Sequence, residues 1–123
     1  MNKVILLSGI AFSLLAVVLG AFAAHGLKSK ITTDMIAVFQ TGVQYQFYHG
    51  LGLILLAILG THMSSNLVNI SGYFMIAGII CFSGSLYALA LTGIKFFGPI
   101  TPLGGLFFII AWSLLFTAAM KHA

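Results

Sequence analysis

Charge is what this chain has least of. Six formal charges, on Lys3, Lys28, Lys30, Asp34, Lys95 and Lys121, serve 123 residues, and there is no glutamate. Soluble domains carry about 25% charged residues. At 5% charged and 61% hydrophobic, the composition excludes a cytosolic enzyme, a disordered tail and a nucleic-acid-binding domain. One cysteine, Cys81, excludes a disulfide framework and any CxxC redox or metal motif within the chain. What fills the space is apolar: the mean hydropathy is +1.18, so the solvent to reason with is the lipid bilayer.

A hydrocarbon core of about 30 Å is crossed by about 20 apolar residues at helical rise. Three stretches carry no charge: 4–27, 35–94 and 96–120. The middle one is long enough for two spans and is broken by Gly60-Thr61-His62-Met63-Ser64-Ser65-Asn66, the most polar stretch of the chain. The expectation is therefore four helices, over 4–24, 39–59, 68–91 and 102–120, forming one all-α domain across 1–123: an integral membrane four-helix bundle. A barrel is excluded because the uninterrupted runs are twice the length of a barrel strand and open sheet edges cannot face lipid. Thr101 before Pro102 reads as an N-cap with proline at the first helical position. Thr32 or Thr33 can cap the second helix with Asp34 in its first turn, so that helix starts before the membrane core. Gly26 is expected to close the first helix in a left-handed conformation.

Residues 4–20 form a longer apolar run than the roughly 7–15 residues of a signal-peptide core. The first segment is thus expected to be a retained span, although Ala21-Phe22-Ala23 resembles a cleavage site. With four spans, Lys3 and Lys121 fall on one side and Lys28, Lys30 and Lys95 on the other. The positive-inside rule is nearly tied. A single orientation is expected, with antiparallel dimers of dual topology as the alternative.

Small residues mark packing faces. Gly9, Ser13, Ala16, Gly20 and Ala24 recur at helical spacing and make a seam that permits close helix approach in lipid. Its partner is expected within the bundle; a second copy docking on Gly9, Ser13, Gly20 and Ala24 is the other possibility. The third helix, with Gly72, Gly78, Ser83, Gly84 and Ser85, should be central.

The second helix is the most informative. At about 100° per residue from Gln40, Gln44 falls near 40°, Tyr48 near 80°, Thr41 near 100°, Tyr45 near 140° and His49 near 180°. These share one half of the helix; of the polar residues, Gln46 lies outside it, with Phe39, Val43, Phe47, Gly50 and Ile54. A polar face at membrane depth needs hydrogen-bond partners, so Gln40, Gln44, Tyr45, Tyr48 and His49 form a candidate polar cluster expected to point into the bundle. His49, about 15 Å into the helix, is the ionisable side chain expected near mid-depth. It either titrates or, as favoured here, is a neutral histidine held by hydrogen bonds. His25 is expected to be wet at the interface, and a haem held between His25 and His49 would need both at one depth. His62 and His122 are expected to have no role. Gly98-Pro99-Ile100-Thr101-Pro102-Leu103-Gly104-Gly105 reads as a rigid turn with close backbone approach, and Tyr87 and Trp112 as ordinary packing. Ser8-Gly9 with Gly26-Leu27-Lys28 is faintly echoed by Ser71-Gly72 with Gly93-Ile94-Lys95, which would fit two parallel helix-pair repeats.

Four strings carry a resemblance: GAFAAHGL at 20–27, QYQFYHGLGL at 44–53, FSGSLY at 82–87 and GPITPLGG at 98–105. Together they resemble the signature blocks of the domain of unknown function 423 family, also called uncharacterised protein family 0382, over essentially the whole chain. The resemblance implies a multi-pass protein of the bacterial plasma membrane. It singles out His25, Ser83, Ser85, Pro99, Thr101 and Pro102, beside the second-helix cluster, as candidate interface or turn residues. No catalytic, cofactor-binding or metal-binding residue is expected; the partner expected is the lipid bilayer, and nucleic acid is not. The favoured function is non-enzymatic, structural or interactive. The alternatives are an oligomeric small-solute transporter or channel with His49 as the titrating group, and a lipid- or quinone-binding protein.

Overall fold

A computed structural model describes residues 1–63 and 66–122. The described residues form four long helices: α1 (Lys3–His25), α2 (Thr33–Leu59), α3 (Asn66–Thr92) and α4 (Ile100–His122). All four are long and apolar enough to cross a bilayer, as the charge-free stretches require. Ser64 and Ser65 of the expected polar turn lie outside the described residues.

Each end has a local cause. The Asn2 side chain accepts from the Ile5 N–H at 3.2 Å to cap α1, and Thr32 does the same for Met35 at 3.2 Å on α2, with Asp34 in the first turn. Two expected caps differ. Gly26 is right-handed (φ −88°); a Cβ there would meet the Phe22 ring at 2.8 Å, so the exposed ring would have to shift. The left-handed cap is Gly93 (φ 71°), ending α3. Thr101 is not the cap of α4, which begins at Ile100 after a short 3-10 turn over Lys95–Phe97. Pro102 sits in the first turn of α4, where backbone N–H groups have no intrahelical acceptor to lose.

Two antiparallel hairpins make the bundle: α1 packs along α2, and α3 along α4. The small-residue seam of α1 is spent within the chain. A Cβ on Gly9 would lie 2.8 Å from the Gly50 carbonyl oxygen, and one on Gly50 would lie 2.6 Å from Ser13 Oγ, so these backbones touch. Gly20 faces Val43, whereas Ala24 is exposed and Ala23 is the buried neighbour. This face is thus turned toward α2, with Gly9 buried and Ser13 and Gly20 partly covered, and is not an open surface for a second copy. The echoed segments are not equivalent either: Gly9 meets α2 backbone while Gly72 meets the Ile5 side chain, and only Gly93 of the two C-terminal glycines is left-handed.

α3 is central in the way its small residues suggested, and it is not a uniform helix. Residues Ile79–Ser83 form a π-helical turn, which loosens the ladder and offers backbone to neighbours. There α4 comes closest: a Cβ on Gly104 would run into the Phe82 backbone. The close approach expected of the 98–105 segment is real, but it lies inside α4 and not in a turn. α2 and α4 meet only through side chains, and this gap is where the candidate site lies.

Candidate functional site

On α2 the buried residues are Phe39, Gly42, Gln46, His49, Gly50, Gly52, Leu53, Leu56 and Ala57. Their directions run from about 120° to 280° on the wheel anchored at Gln40, a sector centred on the side opposite Gln40 and Gln44. The expected polar cluster is thus split. His49 is buried at 5% exposure; Tyr45 stands at the sector's edge; Gln40, Gln44 and Tyr48 are exposed, Tyr48 at 55%. The polar residue set aside as lying outside the cluster, Gln46, is the one packed inward, at 3% exposure. The physical reason lies in the glycines. Gly42 abuts Tyr87, Gly50 abuts α1 and Gly52 abuts Met75 and Trp112. Neighbouring helices approach on the side where α2 has no side chain, and Gln46 shares that side.

Gln46 joins three helices. Its amide donates to the Phe12 carbonyl of α1 at 2.9 Å, and its Oε1 accepts the Tyr87 hydroxyl of α3 at 2.7 Å. Around it the serines work in parallel. Ser83 donates to the Gly42 carbonyl and Ser71 to the Ala111 carbonyl, each at 2.6 Å. Ser85 donates to the Phe82 carbonyl at 2.9 Å and pairs with the Thr101 hydroxyl at 2.6 Å, so Thr101 pins α4 to α3 next to the π-turn. In lipid no water competes for such groups, and every buried side-chain polar atom among the described residues has a partner. Of the other candidate residues, His25, Pro99 and Pro102 are exposed near the ends of α1 and α4.

His49 bridges the gap to α4. Its Nδ1 lies 2.8 Å from the Tyr45 carbonyl oxygen, and its Nε2 lies 2.9 Å from Trp112 Nε1. An indole nitrogen only donates, so Nε2 must accept; Nδ1 then carries the proton and donates to the carbonyl. The pair of partners selects the neutral imidazole in one tautomer. The ring also stacks on Phe108, with centroids 3.6 Å apart and planes 9° from parallel. Tyr45, His49, Phe82, Phe108 and Trp112 line a lateral groove of about 820 Å³ between α2, the π-turn of α3 and α4, with Trp112 42% exposed along its side. Phe108, Trp112 and Ser71 were not singled out from the sequence as site residues. Trp112 shares a helix face with Phe108 and Gly105 at steps of three and four, the signal that could have drawn it in.

Chemically the arrangement can hold helices together, and it presents a mainly apolar slot whose lining carries the polar groups of Tyr45, His49, Trp112 and Ser113.

The family described as "Protein of unknown function (DUF423)" has a model that matches residues 19–105. The UPF0382 membrane protein YwdK of Bacillus subtilis is 50% identical over 121 residues, covering 98% of both chains. A UPF0382 membrane protein of Staphylococcus aureus is 46% identical over 121 residues, and one of Staphylococcus haemolyticus is 43% identical over 119, covering 98% and 97% of each pair of chains respectively. No solved structure matches the chain.

Proposed function

Since the chain belongs to the DUF423 family of small multi-pass membrane proteins, we propose that it works without catalysis in the bacterial cell membrane, as a rigid bundle that offers its flanks to partners within the bilayer. One observation carries this reading: both ring nitrogens of His49 are committed, Nδ1 to the Tyr45 carbonyl and Nε2 to the Trp112 indole. A histidine engaged on both sides crosslinks α2 to α4. The alternative raised by the sequence, proton-coupled transport through His49, asks Nε2 for a lone pair that Trp112 already occupies. General acid-base chemistry would likewise need a free group within hydrogen-bond reach of a substrate.

The experiment compares the intact protein with His49→Gln and His49→Phe in proteoliposomes. The expected result is lower resistance to unfolding in both variants and no pH-driven solute uptake by the unsubstituted protein. Uptake driven by a pH gradient and lost in His49→Gln would overturn the non-transport reading.

The groove itself favours a second reading, that a lipid-phase molecule rests against Trp112. Trp112 is the one tryptophan of the chain, so its fluorescence reports on the slot without labelling. Saturable quenching by a bromine-labelled phospholipid, reversed by Gly105→Leu at the groove wall, supports this reading; quenching that rises linearly with bulk lipid and ignores the substitution refutes it.

A further inference from the structure

The outer face of α2 poses a problem that the bundle does not solve. Gln40, Gln44 and Tyr48 recur every four residues along it and are exposed, and among the described residues no hydrogen bond reaches any of their side chains. Their depth follows from the α1–α2 contacts. Gly9 lies against Gly50 and Ile54, Gly20 against Val43, and Phe22 against Phe39, which places Tyr48 level with Leu14, the middle of α1. A helix of 23 residues is just long enough to cross the hydrocarbon, so its middle marks the midplane. Gln44 is then about 6 Å from the midplane and Gln40 about 12 Å. Gln40 can reach the interfacial region; Gln44 is too deep. An exposed primary amide at that depth faces acyl chains, which offer neither donor nor acceptor.

We infer that the partner covering this face is a second copy of the chain, docked in parallel with its α2 against the first and the two Gln44 amides hydrogen-bonded to each other across a two-fold axis. The amide is self-complementary, since each carries two donors and an acceptor, and a two-fold interface brings each residue of the axis to its own counterpart. Parallel docking is required by the depth of Gln44. In an antiparallel pair, a group about 6 Å to one side of the midplane meets the Leu51 to Leu55 stretch of the other copy, which has no polar side chain. The tie in lysine distribution is therefore resolved within each pair in favour of one orientation. A shallow apolar groove of about 240 Å³ between α1 and α2, flanked by Gln44, Phe47 and Tyr48, receives the other copy's side chains beside the amide pair. This specifies the partner of the interaction role proposed above but rests on a stripe about 100–180° around α2 from His49, whose own partners are Tyr45 and Trp112, so the two fail separately.

The test uses the full chain with Cys81→Ala, carrying single cysteines by Gln40→Cys, Tyr48→Cys, Leu14→Cys or Ile109→Cys, oxidised in native membranes. Disulfide-linked dimers are expected for Gln40→Cys and Tyr48→Cys and not for the other two. Adding Gln44→Leu should weaken dimerisation on the order of tenfold, as expected for losing hydrogen bonds between spans, and Gln44→Asn should restore most of it. Because Gln44 stands exposed beside the groove between α1 and α2, Trp112 emission should be unchanged in the two Gln44 variants, which separates lost pairing from lost folding. Monomer at every position, linkage through Leu14→Cys or Ile109→Cys, linkage between Gln40→Cys and Leu55→Cys copies as in an antiparallel pair, or dimers indifferent to Gln44→Leu would each overturn the proposal.

Discussion

Replacing Gln46 with leucine tests the polar crosslink that ties three helices together. Leucine is of similar size, so the change removes hydrogen bonds with little change of volume. Two bonds vanish, to the Phe12 carbonyl and from the Tyr87 hydroxyl. Bonds between spanning helices average about 0.6 kcal/mol and reach about 1.7 kcal/mol. The Phe12 carbonyl lies mid-helix, where the backbone ladder already uses it, so its loss is cheap. The Tyr87 hydroxyl is worse off: it loses its Gln46 acceptor and keeps only the Ser83 side chain beside it, and a donor left unsatisfied in the interior costs about 1–3 kcal/mol. Gln46→Leu should therefore destabilise by about 2–3 kcal/mol. Tyr87→Phe alone should cost less, about 1 kcal/mol, because it leaves only one lone pair of Oε1 unused. The double variant should fall short of the sum of the singles by about 1–2 kcal/mol, the signature of coupled neighbours. Reversible unfolding of the four proteins in mixed micelles or by steric trapping in bicelles measures all three quantities. A single Gln46→Leu cost under about 0.5 kcal/mol, or strictly additive effects, would refute the assignment of Gln46 as an inter-helix tie.

Three further outcomes follow from the same contacts. Gly104→Ala should cost about 1–3 kcal/mol or more, since its methyl would strike the Phe82 backbone, whereas Gly84→Ala, with nothing within 4 Å, should be neutral or stabilising by up to about 1 kcal/mol; thermal unfolding ranks the pair, and the reverse order would count against the α3–α4 contact. Trp112→Phe should destabilise by about 1–2 kcal/mol through the unpaired His49 Nε2, and adding His49→Phe should recover part of that loss in the same unfolding assay; a double variant worse than both singles would disprove the link. Ser83→Ala, which loses the bond to the Gly42 carbonyl, should cost about 0.5–1.5 kcal/mol, while Ser113→Ala on the exposed flank of α4, bonded only to its own helix, should change stability by less than about 0.5 kcal/mol.

The spans were legible because length and charge decide them. A charge-free run of about 20 residues has few fates other than crossing the bilayer; α1 starts one residue before the expected 4, while α2 starts at Thr33, six residues before the expected 39, where the Thr32 cap puts it. The starts that moved did so for local reasons. α4 begins at Ile100, one residue ahead of Thr101, whose hydroxyl pairs with Ser85 across to α3. The π-turn at Ile79–Ser83 had no sequence signal: residues IICFS are as apolar as their neighbours, and it is the backbone contact with Gly104 that gives the turn its place.

The site was harder to read because a helical wheel has no sign. It showed that Gln40, Thr41, Gln44, Tyr45, Tyr48 and His49 span one half of α2 and Gln46 the other, but the rule that polar groups turn inward from lipid counts votes, and one glutamine was outvoted by six residues. Glycine was the better vote. Gly42, Gly50 and Gly52 are positions where an adjacent helix can come within van der Waals reach of the backbone, and such an approach defines the interior whatever lies beside it. With the glycine side as the inside, Gln46 becomes the internal tie, His49 the edge residue that reaches α4, and the Gln40–Gln44–Tyr48 stripe a surface left unsatisfied by one copy. The same rule about polarity then holds at the next level of assembly: groups the bundle does not satisfy must be met between bundles, and an amide that can pair with itself meets that demand without a second protein.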